Sequence, residues 1–295
     1  MRNVAISAFL LATSTSTHAL AERGPAKGTA ATATATKGAT DVTAEGFQAA
    51  KKKEAEAKDA TELSLGAGAL STSGNSRNLA LTSLATFRLR RSDDQFSALA
   101  AANYGRAGAP GREVVTTVEN FQGRARYDRF VTTDVALFLG LQGRRDRFAG
   151  LALRTQVDPG VGYYFLNEEK RLLWTELGYD LLHDIRRDDA RAVFDQNGAR
   201  TGDLAKTRTT HSGRLFVGYG DKLNEAVVVT MGVEYLQALT DRKLHRINGD
   251  VSISSKIGKG FALATAFSAR YDAGALPGKE RLDTVTSANL VYTIL

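Results

Sequence analysis

The sequence predicts an all-β fold, a transmembrane antiparallel up-and-down β-barrel of about twelve strands that follows a short disordered or helical N-terminal segment. Three observations predict it. Apolar and polar residues alternate with period two from Thr61 to the C-terminus, the mark of strands with one apolar face. An export-type segment opens the chain. The joints between the alternating segments are short and long in turn, as in barrels with turns at one membrane face and loops at the other.

Residues 1–21 have the layout of a secretory signal. Arg2 supplies the basic start, an apolar run follows from Val4 to Ala12, and Ala19, Leu20 and Ala21 form an A-x-A cleavage pattern. A run of that length is too short to cross a bilayer as a helix, which needs about 20 residues. No cysteine is present, which excludes lipoprotein anchoring, disulfides and thiolate metal sites.

Residues 22–60 read as a low-complexity periplasmic linker. The first part is almost wholly Ala, Thr, Gly and Lys, too poor in bulky apolar groups to form a core. From Ala44 to Ala60 strong helix formers carry mixed charge with almost no apolar face, which predicts a marginal helix or solvated tether. A lumenal plug or a short coiled coil is the alternative, and the heptads for a coil are missing. The linker is therefore expected to add nothing to barrel stability.

Residues 61–295 carry the barrel. Segments near residues 61–71, 77–90, 95–106, 113–128, 134–147, 153–165, 170–184, 207–220, 225–237, 245–257, 260–272 and 282–294 alternate, each long enough for a tilted crossing. In the second, Leu79, Leu81, Ala85, Phe87 and Leu89 oppose Asn78, Thr82, Thr86, Arg88 and Arg90. In the ninth, Val227, Val229, Met231, Val233 and Tyr235 oppose Ala226, Thr230, Gly232 and Glu234. The short joints are 91–94, 129–133, 166–169, 221–224 and 258–259; those between them, mostly longer, are 107–112, 148–152, 185–206, 238–244 and 273–281. A tight turn at 72–76 is the exception. An even strand count puts both barrel ends on the short-turn side, where the linker must be. Pro159 removes one backbone donor inside the sixth segment, so a bulge or kink is expected there.

Several stretches resemble one known family. They are LGAGALSTSGNS at 65–76, Tyr127-Asp128-Arg129-Phe130, the run from Arg145 to Leu151 with Leu153, Arg154 and Thr155 after it, and the glycine-and-aromatic strand from Pro159 to Phe165. Over roughly residues 61–295 they are similar to the salt-induced outer membrane protein family, also called domain of unknown function 481. The Tyr-Asp-Arg-Phe and Arg-Asp-Arg-Phe pair is the most specific part. The resemblance implies an outer-membrane barrel and no settled activity. The C-terminus departs from the usual barrel ending in Phe, because Leu295 is last.

The formal net charge of +7 comes from 39 Lys and Arg against 32 Asp and Glu. Arginine is spread along the strands with Asp nearby, without the basic cluster and interleaved aromatics of a nucleic-acid binder. No catalytic, cofactor or metal site is expected. His183-Asp184 beside Asp188, Asp189, Asp195 and Asp203 offers an Asp/His rim of the omptin-protease kind, but the flanking residues of those enzymes are not recognisable. His211 and Ser212 are strand neighbours and point to opposite faces. The Asp195–Gly198 stretch is more simply an Asn-Gly turn than a calcium loop.

One constellation stands out. Arg124, Arg126 and Asp128 share a face of the fourth segment, and Arg144 and Asp146 share one of the fifth. Charge on the lipid face is costly, so both faces should look inward and form a lumenal charge network. Such a network either fills a narrow lumen or lines an anion-selective constriction. The expectation is a structural or envelope-stress role without catalysis, with a small passive pore as the alternative. Expected partners are outer-membrane lipid and lipopolysaccharide, with the barrel-assembly machinery and periplasmic chaperones during biogenesis. The oligomeric state is not legible.

Overall fold

The computed structural model of the chain describes residues 59–72, 77–108, 112–168, 170–195, 197–258, 260–276 and 280–294. The export segment, residues 22–58 of the linker, the turn expected at 72–76 except Thr72, and Leu295 lie outside the described residues.

The alternating segments form β1 (Ala60–Thr72), β2 (Arg77–Arg91), β3 (Asp94–Gly108), β4 (Val115–Phe130), β5 (Val135–Asp146), β6 (Leu151–Asn167) and β7 (Arg171–Arg186). After a two-stranded excursion, β8 (Ala192–Phe194) and β9 (Arg200–Asp203), come β10 (Thr207–Lys222), β11 (Val227–Ala238), β12 (His245–Gly258), β13 (Phe261–Asp272) and β14 (Leu282–Thr293). Among the described residues, twelve of these strands form one closed antiparallel barrel, each beside its neighbour in sequence with β7 next to β10. Closure is made by β1 against β14, in register from Ser64 opposite Thr293 to Ala67 opposite Leu290. These four pairs join the two ends of the sheet into a closed barrel, the form a hydrocarbon surround requires.

The outer face is that of a bilayer-spanning barrel. Leu81, Leu139, Leu177, Val217, Val233, Ile253 and Leu263 point outward and are exposed. Rings border this band at both ends: Phe96, Tyr127, Tyr163, Phe165, Phe261 and Tyr292 toward the end where β1 begins, and Tyr104, Tyr179 and Tyr235 toward the other. Aromatic girdles at both interfaces are what such a barrel presents to lipid. Among the described residues no helix is long and apolar enough to cross a membrane, a test that does not bear on strands.

The two barrel ends differ as the joints predict. At the turn end, residues 92–93 close a hairpin in which Ser92 takes φ of 51°, the left-handed conformation that suits strand twist in short turns. Thr132 Oγ1 accepts from the Asp134 and Val135 amides, and Asn224 Oδ1 from those of Ala226 and Val227. The loop end carries the long connection 187–206, which is not an irregular loop. It folds back as the β8–β9 hairpin, with Asp195 Oδ1 accepting from Asn197 N and Ala199 N and Gly198 at φ +81°. That is the Asn-Gly turn expected, in an element too short for alternation to show.

Two sequence expectations are corrected. Pro159 makes no bulge: it stays in β6 opposite Leu139, and the ladder to β7 resumes in the same register at Gly160–Gly178. Only the pairs at Asp158 and Pro159 drop out on the β7 side, because a missing donor costs local pairing without adding a residue. Register shifts in β6 fall instead between Leu151 and Leu153 and between Tyr164 and Leu166. Likewise the strand begins before Thr61. Ala60 pairs with Arg90, and Asp59 accepts from the Ser92 amide, so residues 59 and 60 belong to the barrel.

Candidate functional site

Alternation aims every second side chain of each strand into the lumen, and in this barrel the lumen is largely occupied. Two layers fill it. Nearer the turn end lies an aromatic layer of Phe130, Tyr164, Trp174 and Phe216 around Ala136. Trp174 packs on Phe216 at 5.4 Å between centroids, and Phe130 on Tyr164 at 5.8 Å. Across the barrel Leu84, Leu99, Ala101 and Ala264 form a smaller apolar patch. There β1 contributes Gly68, over which Thr82 Oγ1 donates to Asn289 Oδ1 at 2.7 Å; a Cβ at Gly68 would collide with both groups.

Above the aromatic layer lies a layer of paired charges. Arg126 donates to Asp128 at 2.7 Å on its own strand and reaches Glu176 of β7 at 2.8 Å. Arg214 of β10 donates to the other oxygen of Glu176 at 2.7 Å and to Glu234 of β11 at 2.6 Å. Asn248 of β12 completes Glu234 at 2.7 Å. Phe138 of β5 lies between the two guanidiniums, 4.2 Å from that of Arg126 and 5.5 Å from that of Arg214. Asp128 and Glu176 are 0% and 1% exposed, and Arg126 and Arg214 only 9% and 8%. This is a hydrogen-bonded network drawn from five strands, with Phe138 of a sixth against it and a cavity of about 60 Å³ left among its members.

Toward the loop end the pairs continue. Arg154 forms a two-bond fork on Asp184 at 2.7 and 2.8 Å, Asp180 takes Gln156 and Arg246, and Asp250 takes Ser268 and Arg270. The lumen then widens into a vestibule of about 470 Å³, bordered by Arg144, Arg186, Arg208, Leu244 and Tyr271 among others.

The five residues singled out in the sequence all point inward, but they do not join in one network. Arg126 and Asp128 join the central network. Arg144 and Asp146 form a separate pair at 2.8 Å near the loop end, where Asp146 also accepts from the Phe148 and Ala149 amides. In register Arg144 faces Gln122 and Arg126 faces Gly140, so the two pairs sit at different depths. Arg124 joins neither: its guanidinium donates twice to Gln142, at 3.1 and 2.8 Å. Arg124→Ala is accordingly expected to lower stability by about 1 kcal/mol, the worth of one ordinary hydrogen-bonded contact, read from the urea midpoint of the barrel in vesicles. Sequence reasoning missed Glu176 and Arg214, the centre of the network. Each is one polar residue on an alternating strand; β7 and β10 are neighbours in the sheet, but only the curvature of the barrel brings β4 across to them.

The stretches weighed for catalysis are taken apart by the same alternation. His183 points outward to Thr209 while Asp184 points inward to Arg154. His211 meets Tyr179 outside, while Ser212 is buried inside. The loop acids are held by neighbours, Asp188 by Lys206, Asp189 by Arg187 and Asp203 by Arg200. The hydrogen bond from Lys206 holds the Asp188 carboxyl below its ordinary pKa, and that from Arg187 does the same for Asp189. Any stability these pairs add is present above the unfolded carboxylate pKa and lost as pH falls through the depressed value. Both groups are exposed, so the effect is small. Among the described residues no group of three His, Asp or Glu side chains could hold a metal ion.

Residues 65–294 match the family model described as "Protein of unknown function, DUF481". No curated protein matches the chain. Among solved structures, a NanC porin aligns at 10% identity over 79% of this chain and 100% of its own, with a TM-score of 0.47. The β-domain of the Bordetella autotransporter BrkA aligns at 14% identity over 80% and 98%, with a TM-score of 0.38. The Pseudomonas putida toluene transporter TodX aligns at 9% identity over 85% and 95%, with a TM-score of 0.38.

Proposed function

We propose that this chain, which belongs to the DUF481 or salt-induced outer membrane protein family, is an outer-membrane barrel with a filled, non-conducting lumen and a structural role in the envelope. The observation that carries this reading is the central network. Asp128, Glu176, Arg126 and Arg214 lie in mid-lumen less than a tenth exposed, packed about Phe138 and backed by the aromatic layer. A conducting constriction needs charged groups wetted by the pore, whereas these are spent on one another.

In this reading the N-terminal 21 residues direct export and are removed, and the turn end faces the periplasm, where the linker enters. The loop end faces outward. Contact with lipid and lipopolysaccharide, and folding by periplasmic chaperones and the barrel-assembly machinery, follow from that location. The barrel does no catalysis; its ionisable lumen residues serve as packing.

A second reading is favoured by the vestibule at the loop end, which could admit a small solute to a lumen that opens beneath it. Swelling of vesicles in isotonic solutions of small sugars and amino acids separates the two. A filled barrel leaves the swelling rate at that of protein-free vesicles; swelling that falls off with solute size would establish the pore. Fractionation that placed the mature protein in the soluble periplasmic pool would reject both.

A further inference from the structure

Charge is distributed differently at the two membrane interfaces of the outer surface. At the turn end outward arginines come with carboxylates: Arg129 with Asp94 at 2.7 Å, Arg91 with Asp59 at 3.8 Å and Arg171 with Asp221 at 3.8 Å. At the loop end of the neighbouring strands β2 to β5 one pair of this kind forms, Arg147 with Glu119 at 3.1 Å, but four further arginines have none among the described residues. Arg77 is the first residue of β2, Arg106 lies two residues before the end of β3, and Arg145 lies one before the end of β5. Arg112 sits in the joint between β3 and β4.

All four are exposed, and among the described residues none forms an ion pair with a carboxylate. Arg106 gives one hydrogen bond to the Val114 carbonyl. The strand residues share the lipid-facing parity, since Arg77 precedes outward Leu79, Arg106 stands opposite Leu79 and Arg145 stands opposite outward Phe121. Three strand spacings of about 4.8 Å separate β2 from β5, so this arc is about 14 Å wide. It sits above the exposed ring of Tyr104 and beside that of Phe121. The arc from β10 to β13 is different at that height, with His211, Gln237, Tyr235 and Tyr271 outward.

We propose that Arg77, Arg106, Arg112 and Arg145 form a docking site for the phosphate groups of a phosphorylated glycolipid in the outer leaflet, with the acyl chains against Tyr104 and Phe121. The site rests on the proposed orientation, in which the loop end faces the outer leaflet. Guanidinium groups fit the occupant because they match phosphate geometry with paired N–H donors and stay charged at every relevant pH. A zwitterionic headgroup would bring its own cation against an arc whose four exposed arginines outnumber its carboxylates Glu113 and Glu119, the latter already paired with Arg147. The turn end, with each arginine neutralised, suits such a headgroup instead.

The test uses the full mature chain folded into phosphatidylcholine vesicles, with insertion scored first by heat-modifiable migration on a gel. Failure to insert would sink the membrane-barrel reading and the site with it. Once insertion is established, bisphosphorylated lipid A added to the vesicles should raise the midpoint of thermal unfolding by several degrees. Dephosphorylated lipid A of the same acyl content should not. Arg77→Gln/Arg106→Gln/Arg145→Gln should fold with an unchanged midpoint in phosphatidylcholine and lose most of the lipid A increment. Arg106→Lys/Arg145→Lys should keep part of it. An undiminished increment in the glutamine variant would overturn the site. So would an equal increment from phosphatidylglycerol at matched charge, which would reduce the arc to a general attraction for anionic lipid.

Discussion

Glu176→Ala is expected to destabilise the barrel by about 5 kcal/mol, the upper end of what removing one partner from a buried ion pair costs. Glu176 is 1% exposed and is the shared counter-ion of Arg126 and Arg214, one on each carboxylate oxygen. Its loss leaves two guanidiniums facing each other across Phe138. Asp128 still compensates Arg126, and Glu234 still compensates Arg214, so the barrel should fold but unfold at lower urea. The urea midpoint in vesicles checks this. A control separates packing from charge. Replacing Arg126, Asp128, Glu176, Arg214 and Glu234 together by Met, Leu, Leu, Met and Leu removes all five charges and leaves no buried charge of the set without its partner. That variant should lose far less stability than Glu176→Ala, because apolar replacement of a whole buried ionic set can be neutral where removal of one member is not. If Glu176→Ala shifted the midpoint by less than about 1 kcal/mol, as at an exposed ion pair, the network would be wet and the filled-lumen account wrong.

Gly218→Val should cost about 2–3 kcal/mol, as an overpacked core site does. Gly218 of β10 points into the lumen directly under the Trp174 ring, and a Cβ built there overlaps that ring. The indole cannot tilt away freely. Its Nε1 donates to Glu176 at 3.2 Å and its face packs on Phe216. Trp174 is the only tryptophan in the chain, so its fluorescence reports this layer alone. A red shift in emission should therefore accompany the lower urea midpoint. An unchanged spectrum with native stability would mean that the aromatic layer is loose.

Much of the barrel was legible because alternation is a local signal with a global meaning. Leu79 and Leu81, or Val229 and Val233, announce their face within their own strand, and lipid outside makes that face unambiguous. Joint lengths gave the two ends independently. What stayed illegible was depth. Arg126 and Arg144 both read as inward, but sequence spacing does not say how far β4 and β5 are staggered, so the residues expected in one lumenal network fall into two separate pairs. Contacts across the lumen were hidden for the same reason. Arg126 meets Glu176 over two intervening strands, β5 and β6, and no periodicity in either strand encodes that meeting. Pro159 misled because a missing donor is a local defect, while the register it was expected to break is held by ladder pairs on both sides of it.

The central claim is that the middle of the lumen is closed. Current through the wild-type barrel in a planar lipid bilayer tests it most directly, with a Phe138→Ala/Arg126→Ala/Arg214→Ala variant run beside it. The account predicts no discrete steps from the wild type in concentrated potassium chloride, and steps from the variant once the ring and both guanidiniums are cut back. Stable ohmic steps from the wild type, with ion selectivity altered by the loss of Arg126 alone, would contradict it.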